Sequence, residues 1–140
     1  MIAQVDEALC RLLRPCLPAG TQIRLDPPKP AWQTESQVRS VELFLFALHD
    51  DVEGEERDGK RAARCALSYL VTARAGEVRE EHALLDAALR AVLDVQRLPA
   101  EDSPVRVRLA KTDPTGLWTS LGMPARAGFV LLATADAEAG

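Results

Sequence analysis

The amino-acid sequence predicts an α+β fold: a mostly antiparallel sheet of about five strands, with two main helices on one face and a short third helix. The first observation is the alternation of apolar side chains between Arg64 and Arg74, which is the period of a β-strand. The second is the change to a 3.6-residue period after Gly76, which is typical of an amphipathic helix. The third is that the other apolar segments also alternate as strands, apart from a helical segment at the N-terminus and a short one from Pro114 to Leu121. A strand and a helix that each have one apolar side pack together as two layers.

The composition limits the class of protein. At 140 residues the chain has the size of one domain, and we assign residues 1–140 to it. A net charge of −4 argues against nucleic acid as a partner. No segment approaches the ~18 consecutive apolar residues of a membrane span, and the N-terminus lacks the basic head of a signal peptide. We therefore expect a cytoplasmic protein that binds neither nucleic acid nor membrane.

The N-terminal part is predicted to be a helix followed by a strand. The helix runs from Met1 to Arg14, since its apolar residues recur on one face, and Pro15 disfavours its continuation. Thr21 to Asp26 alternates as a half-exposed strand. Three prolines then begin an extended loop that contains Trp32. This side chain either covers the edge of the core or is an anchor for a neighbouring protein, since Trp is enriched at interfaces.

The segment from Val41 to His49 is predicted to be a central strand, because both of its sides are apolar. One side consists of Val41, Leu43, Leu45 and Ala47, and the other of Phe44, Phe46 and Leu48. The two main helices cover only one face of a sheet. We therefore expect a loop or another subunit to cover the second face.

The next segment, Asp50 to Lys60, is acidic and contains the turn signal Asp58-Gly59. We expect it to connect Val41–His49 with the strand that begins at Arg64, as an antiparallel hairpin. Its acids could in principle hold a metal ion. They lack the Asp-x-Asp-x-Asp-Gly order of a calcium loop, which favours a solvated loop.

The long helix that follows Gly76 is the main source of core residues. Glu77, Glu80 and Glu81 lie where a helix N-terminus favours negative charge. Its apolar stripe consists of Leu84, Leu85, Ala88, Leu89, Val92 and Val95. Burial of each large side chain of this stripe contributes roughly 1.5–3 kcal/mol before entropy is subtracted.

The last third is predicted to contain a strand, the short helix and a final strand. Val105 to Leu109 alternates with two arginines. The short helix runs from Pro114 to Leu121, with Asp113 as its cap, Gly122 as its stop, and Leu117, Trp118 and Leu121 directed inward. Phe129 to Thr134 is the final strand, and Ala135 to Gly140 is expected to be a frayed end.

No group of residues indicates catalysis, a cofactor site or a metal site. His49 and His82 are the two histidines, neither lies in a metal-binding pattern, and both are expected at the surface. Ser68, His82 and Asp86 could be drawn as a triad, but Ser68 lacks the Gly-x-Ser-x-Gly of a nucleophile elbow. The three cysteines, Cys10, Cys16 and Cys65, are too few for a secreted disulfide framework and are expected to be small buried hydrophobes. We therefore predict that the chain is not an enzyme.

The arginines of the predicted strands are the main candidates for a binding surface. Arg24, Arg106 and Arg108 all lie on polar strand faces. They are either a solvated face or a basic strip that pairs with acids of an adjacent copy. Together with Trp32, Phe44 and Phe46 they form the set of candidate interface residues.

The order of the motifs resembles the cap, or tail-terminator, family of extracellular contractile injection systems, which are phage-tail-like particles of the virulence-cassette and antifeeding-prophage type. The resemblance extends over nearly the whole chain. It rests on Val5-Asp6-Glu7-Ala8-Leu9, Asp26-Pro27-Pro28 with Trp32, Val41-Glu42-Leu43-Phe44-Leu45-Phe46, Leu67-Ser68-Tyr69-Leu70-Val71-Thr72-Ala73, Glu80-Glu81-His82-Ala83-Leu84-Leu85 and Leu117-Trp118-Thr119-Ser120-Leu121-Gly122. The chain departs from the family pattern in its short Asp50–Lys60 connection and in Ala125-Arg126-Ala127-Gly128, which replaces a Pro-Ser lead into the last strand.

The resemblance implies a structural protein without catalytic residues. It implies a ring, of six copies in the family, that ends the inner tube and anchors the end of the sheath. The partners would be other copies, the tube protein and the sheath protein, and the protein would be assembled into the particle in the cytoplasm. The alternatives are a monomeric or dimeric adaptor, for instance a loading chaperone, and a small enzyme with a concave polar pocket.

Overall fold

The structure of the chain is a computed structural model that describes residues 1–28, 39–50, 56–57, 60–61, 64–95, 97–98 and 105–136. Three α-helices and eight strands lie within these residues. In chain order they are α1 (Ile2–Leu13), β1 (Gln22–Arg24), β2 (Ser40–Asp50), β3 (Glu56–Arg57), β4 (Lys60–Arg61), β5 (Arg64–Arg74), α2 (Val78–Asp94), β6 (Arg97–Leu98), β7 (Val105–Leu109), α3 (Thr115–Leu121) and β8 (Phe129–Asp136). A 3₁₀ turn at Arg14–Cys16, which contains Pro15, follows α1.

The sheet confirms the predicted fold class. Its strand order is β1-β2-β5-β8-β7-β6, and all neighbours are antiparallel except the parallel pair β1 and β2. β3 and β4 pair separately. The sequence analysis did not predict β6, whose two residues are too few to show a period.

The pairing of β2 with β5 contains a β-bulge. Leu45 lies opposite Tyr69, yet Ala47 lies opposite Ser68, so Phe46 is the additional residue. The bulge moves each later residue to the other face. The prediction that Leu48 shares a face with Phe44 and Phe46 is therefore wrong, because Leu48 lies opposite the buried Leu67 on the other side of the sheet.

The face that we call the main face is covered by α1 and α2. From β5 it includes Leu67, Tyr69, Val71 and Ala73, which are buried against both helices in one cluster. The helices contribute Val5, Ala8, Leu9, Leu13, Leu84, Ala88, Ala91 and Val92. The Tyr69 hydroxyl donates a hydrogen bond to the Asp6 carboxylate and so joins α1 to the central strand. Burial raises the pKa of Tyr69, so this hydroxyl keeps its proton.

The face that we call the reverse face is covered in its middle by α3. Trp118 of α3 and Met123 beyond it are buried against Leu70 of β5. The expectation that only a loop or another subunit covers this face is therefore wrong, since the chain's own third helix lies on it. The sequence analysis had directed Leu117, Trp118 and Leu121 inward, and all three belong to this second cluster.

The ends of α3 follow from its sequence. The Asp113 carboxylate accepts hydrogen bonds from the backbone N–H of Thr115 at 3.0 Å and from its hydroxyl at 2.6 Å. At the other end Gly122 has a φ of 68°, and its backbone N–H bonds the helix carbonyls. Only glycine adopts this left-handed conformation without strain, so the predicted stop is confirmed.

A second glycine fixes the path from α3 to β8. A Cβ atom at Gly128 would lie 2.9 Å from the Val71 carbonyl oxygen and 3.1 Å from the Thr72 methyl group. The chain can pass this close to β5 only without a side chain.

Candidate assembly surfaces

The two phenylalanines of the candidate interface lie on the reverse face. Phe44 and Phe46 are half-buried, their ring centroids are 6.5 Å apart, and the rings are tilted by 46°. They contact the cluster of Leu70, Trp118 and Met123. Part of each ring therefore stabilises the position of α3, and their role in an interface stays a prediction.

Trp118 is the largest residue of this cluster and is 2% exposed. Its indole N–H is buried and has no hydrogen-bond acceptor within the part of the chain that the structure describes. A buried donor without a partner costs roughly 1–3 kcal/mol. The apolar packing of the indole offsets this cost. The net stability that the cluster contributes is therefore smaller than its buried apolar area implies.

A buried carboxylate lies beside the aromatic cluster on the same face. Glu42 of β2 is 0% exposed. It accepts hydrogen bonds from the Ser40 hydroxyl at 2.8 Å and from the Thr72 hydroxyl at 3.3 Å, and the Arg74 Nε atom lies 4.0 Å from it. Burial raises the pKa of Glu42 to about 7, although both hydroxyls and Arg74 oppose the shift. The site can therefore take up or release one proton near neutral pH.

The sequence analysis missed Glu42 as a site. The available signal was a single acid within a strand that is otherwise apolar on both sides. Two of its three partners, Thr72 and Arg74, come from β5, and the register that places Glu42 opposite Thr72 brings them together.

The structure separates the candidate arginines into two groups. Arg106 and Arg108 are exposed on the reverse side of β7, two residues apart. Arg24 lies on β1 at the opposite side of the sheet and forms an ion pair with Asp26 at 3.1 Å. The three residues therefore do not form one strip. Trp32, the remaining candidate, lies outside the described residues.

The N-terminal turns of α2 connect two loops to the main face. Glu80 pairs with Arg39 at 3.9 Å, just before β2, and Glu81 pairs with Arg126, just before β8. Beside the second pair is a shallow groove of about 250 Å³, which His82 and the exposed Val78 help to line. Glu81 and Arg126 also line the groove, and the rest of its wall is apolar and consists of Ala73, Leu85, Ala125 and Ala127. The two charged side chains already pair with each other.

The possible triad is not assembled. Ser68 lies on the reverse face, whereas His82 and Asp86 are exposed on α2, which packs on the main face. In the described ranges, no three His, Cys, Asp or Glu side chains are placed to hold a metal ion. Among the same residues, no helix has the length and apolar character needed to span a membrane.

Comparison with protein families decides which family the chain represents. The model described as the Pvc16 N-terminal domain matches residues 4–135. The chain belongs to this family. The comparison with curated proteins gives no match. The family resemblance predicted from the ordered motifs is confirmed.

Two solved structures have the fold of this Pvc16 N-terminal domain. One is the PVC sheath/tube terminator of an extracellular contractile injection system in the extended state, with a TM-score of 0.77 and 19% identity. The other is the tube-terminating cap of the anti-feeding prophage, with a TM-score of 0.75 and 17% identity. Each match covers 96% of this chain but only 55% and 54% of the other chains. The chain thus spans about half the length of each of these two chains.

Proposed function

We propose that this Pvc16 N-terminal domain is a structural, non-enzymatic cap of a contractile phage-tail-like particle. In this role it forms a ring, of six copies, that ends the inner tube and anchors the end of the sheath. The observation that carries the proposal is the fold similarity over 96% of the chain to a sheath/tube terminator and to a tube-terminating cap. The protein is made in the cytoplasm and assembled there into the particle.

The surface of the described residues supports this proposal in one respect. A ring needs two different contact surfaces on each copy, because every contact in it is heterologous. The candidate residues lie on different parts of the molecule: Arg24 on β1, Arg106 and Arg108 on β7, and Phe44 and Phe46 beside α3. We assign these residues, with Trp32, to contacts with other copies, tube or sheath.

One observation favours a second candidate, a monomeric or dimeric adaptor of the same particle. The protomer covers the middle of its reverse face with its own α3, so burial of that face does not by itself require sister chains. Light scattering on the purified protein separates the candidates. A cap forms a defined ring alone or on tube ends, whereas an adaptor stays a monomer or dimer in both settings.

The direct test of the cap is its removal from the particle. In particles assembled without this protein, we expect tubes of variable length and sheaths that detach or contract early, as measured by negative-stain electron microscopy. Uniform tube lengths and stable sheaths in its absence would refute the proposal. Restoration by the wild-type protein, supplied separately, is the control.

A further inference from the structure

We propose that two opposite edges of the sheet form the contact between neighbouring copies, with Arg106 and Arg108 of one copy facing Asp50 of the next. This inference rests on the ring proposed above and names the residues that bind in it. The occupant of the arginine edge is a second copy of this chain.

The two edges are open in the described part of the chain. β1 pairs only with Ser40, Val41 and Glu42, so β2 has no described strand on its outer side from Leu43 to Asp50. On the other side of the sheet, β6 pairs only with Val105 and Arg106. Arg108 and Leu109 therefore also lie at an outer edge, whereas Arg106 is paired with Arg97 of β6 and is exposed on the reverse face.

The edges carry opposite charge. Asp50 is exposed at the end of β2, and Arg106 and Arg108 are exposed on β7. None of the three forms an ion pair with any other residue that the structure describes. Arg106 and Arg108 are ~7 Å apart along the strand, close enough for their charges to repel each other and to favour a shared carboxylate partner.

The register places the two charges at the same end of the molecule, with Asp50 opposite Cys65 of the main face and the two arginines on the reverse face. Arg106 lies opposite Thr134, Thr134 lies opposite Ala66, and Ala66 lies opposite His49, the residue before Asp50. β5 and β8 separate the two edges, which gives three strand spacings or ~14 Å. Copies placed side by side in one orientation therefore bring an acidic end next to a basic edge.

The net charge of the chain favours this arrangement. Copies with a net charge of −4 repel one another, and opposite local charges at the contact offset this repulsion. The same acidic surplus argues against nucleic acid as the ligand of these arginines. A contact between two different edges is heterologous, and such contacts produce a ring when the rotation closes.

The test uses three variants of the full chain. Arg106→Glu with Arg108→Glu removes the basic edge, and Asp50→Arg removes the acidic one. The matched control is Arg11→Glu with Arg90→Glu, since both arginines are exposed on helices in pairs with Glu7 and Asp86. The two double variants have the same net charge of −8, which is −4 with two changes from +1 to −1. Circular dichroism and thermal melting check that each variant is folded.

Light scattering over a concentration series gives the dissociation constant. We expect each edge variant to associate at least about tenfold more weakly than wild type, and the control to stay within about threefold. Wild-type association should weaken as salt is raised. An equimolar mixture of the two edge variants should assemble again, because each acidic copy then alternates with a basic one.

Several results would overturn the contact. One is that the variant with Arg106→Glu and Arg108→Glu associates as tightly as wild type. Another is that the control variant loses as much affinity as the edge variants. The third is that the mixture of the two edge variants does not assemble. If the purified wild type is monomeric, the amount of each variant in purified particles is measured instead. The control should then be incorporated about as well as wild type, and both edge variants less. Failure of the proposed cap function gives a different result. In that case the wild-type protein is absent from purified particles, or particles made without it are unchanged.

Discussion

The two faces of the sheet differ in how they are stabilised. Among the described residues, nineteen buried side chains form the main-face cluster, and only three form the reverse-face cluster. In the part of the chain that the structure describes, the four buried polar residues all belong to the reverse face: Ser40, Glu42, Ser68 and Thr72. The main face therefore supplies most of the hydrophobic stability. The reverse face holds a buried carboxylate and a small aromatic cluster, and it therefore contributes less hydrophobic stability than the main face.

The largest expected effect comes from a matched pair of substitutions on β5. Leu67 and Leu70 are both 0% exposed, but they face the main and the reverse face respectively. We expect Leu67→Ala to lower the free energy of unfolding by about 4 kcal/mol and Leu70→Ala by about 2–3 kcal/mol, because half-buried neighbours can close the smaller cavity. Urea denaturation measures both. An equal or larger loss for Leu70→Ala would contradict the comparison.

The next effect is a dependence of stability on pH that arises on the reverse face. The pKa of Glu42 is raised from 4.5 to about 7, so the folded state binds this proton more tightly than the unfolded state does. Its contribution to stability is complete below pH ~4.5 and is lost as the pH rises through about 7, up to roughly 3 kcal/mol.

Glu42→Gln tests this contribution, because the amide keeps the shape of the side chain but does not titrate. The difference in free energy of unfolding between the variant and wild type should shift in favour of the variant between pH 5 and pH 8. Glu81→Gln is the control, since its ion pair with Arg126 lies on the main-face side. A difference that does not change between pH 5 and pH 8 would contradict the raised pKa of Glu42.

A smaller effect is expected at Gly128, where the chain passes from α3 to β8. In Gly128→Ala the new methyl group meets the Val71 carbonyl oxygen, and backbone of a central strand moves little. We expect a loss of about 2 kcal/mol in free energy of unfolding. Gly116→Ala is the control, since no atom lies within 4 Å of its Cβ position. Similar losses for both variants would show that the close approach is relieved at no cost.

The smallest effect concerns the left-handed stop of α3. Gly122→Ala should cost about 1 kcal/mol, because the new side chain is strained at a φ of 68°. If α3 covers the reverse face as described, this variant also shifts the fluorescence of Trp118 towards longer wavelength. Trp32→Phe in both proteins isolates that signal, because the chain has two tryptophans. An unchanged spectrum in a destabilised variant would place the loss elsewhere.

Local sequence patterns predicted most of the helices and strands. The features that they did not predict depend on pairing between strands that are distant in the sequence. The period of two in Arg64–Arg74 and the 3.6 period of α2 identify β5 and α2 to within a few residues. The bulge at Phe46 carries no sequence signal of its own, so the alternation assigned Leu48 to the wrong face. The apolar side of α3 was predicted correctly, but a period does not reveal which face of a sheet a helix covers.

The candidate surface was predicted less completely for the same reason. Arg24, Arg106 and Arg108 all lie on polar strand faces, yet the strand order places the first far from the other two. The pKa of Glu42 is raised by its burial in the folded sheet, and its partners Thr72 and Arg74 lie on β5, thirty positions or more away in the chain. Sequence patterns identify residues that can bind; the sheet topology decides which of them act together.

The bulge at Phe46 has a consequence for solubility. An open strand edge is a template for other strands, and edge-to-edge growth of sheets leads to fibres. A bulge increases the local twist and interrupts the regular ladder, so the outer side of β2 is a poor template for a further strand. In the proposed ring, neighbouring copies would then meet there through side chains without merging their backbones, and the ring would stay discrete rather than grow into a fibre.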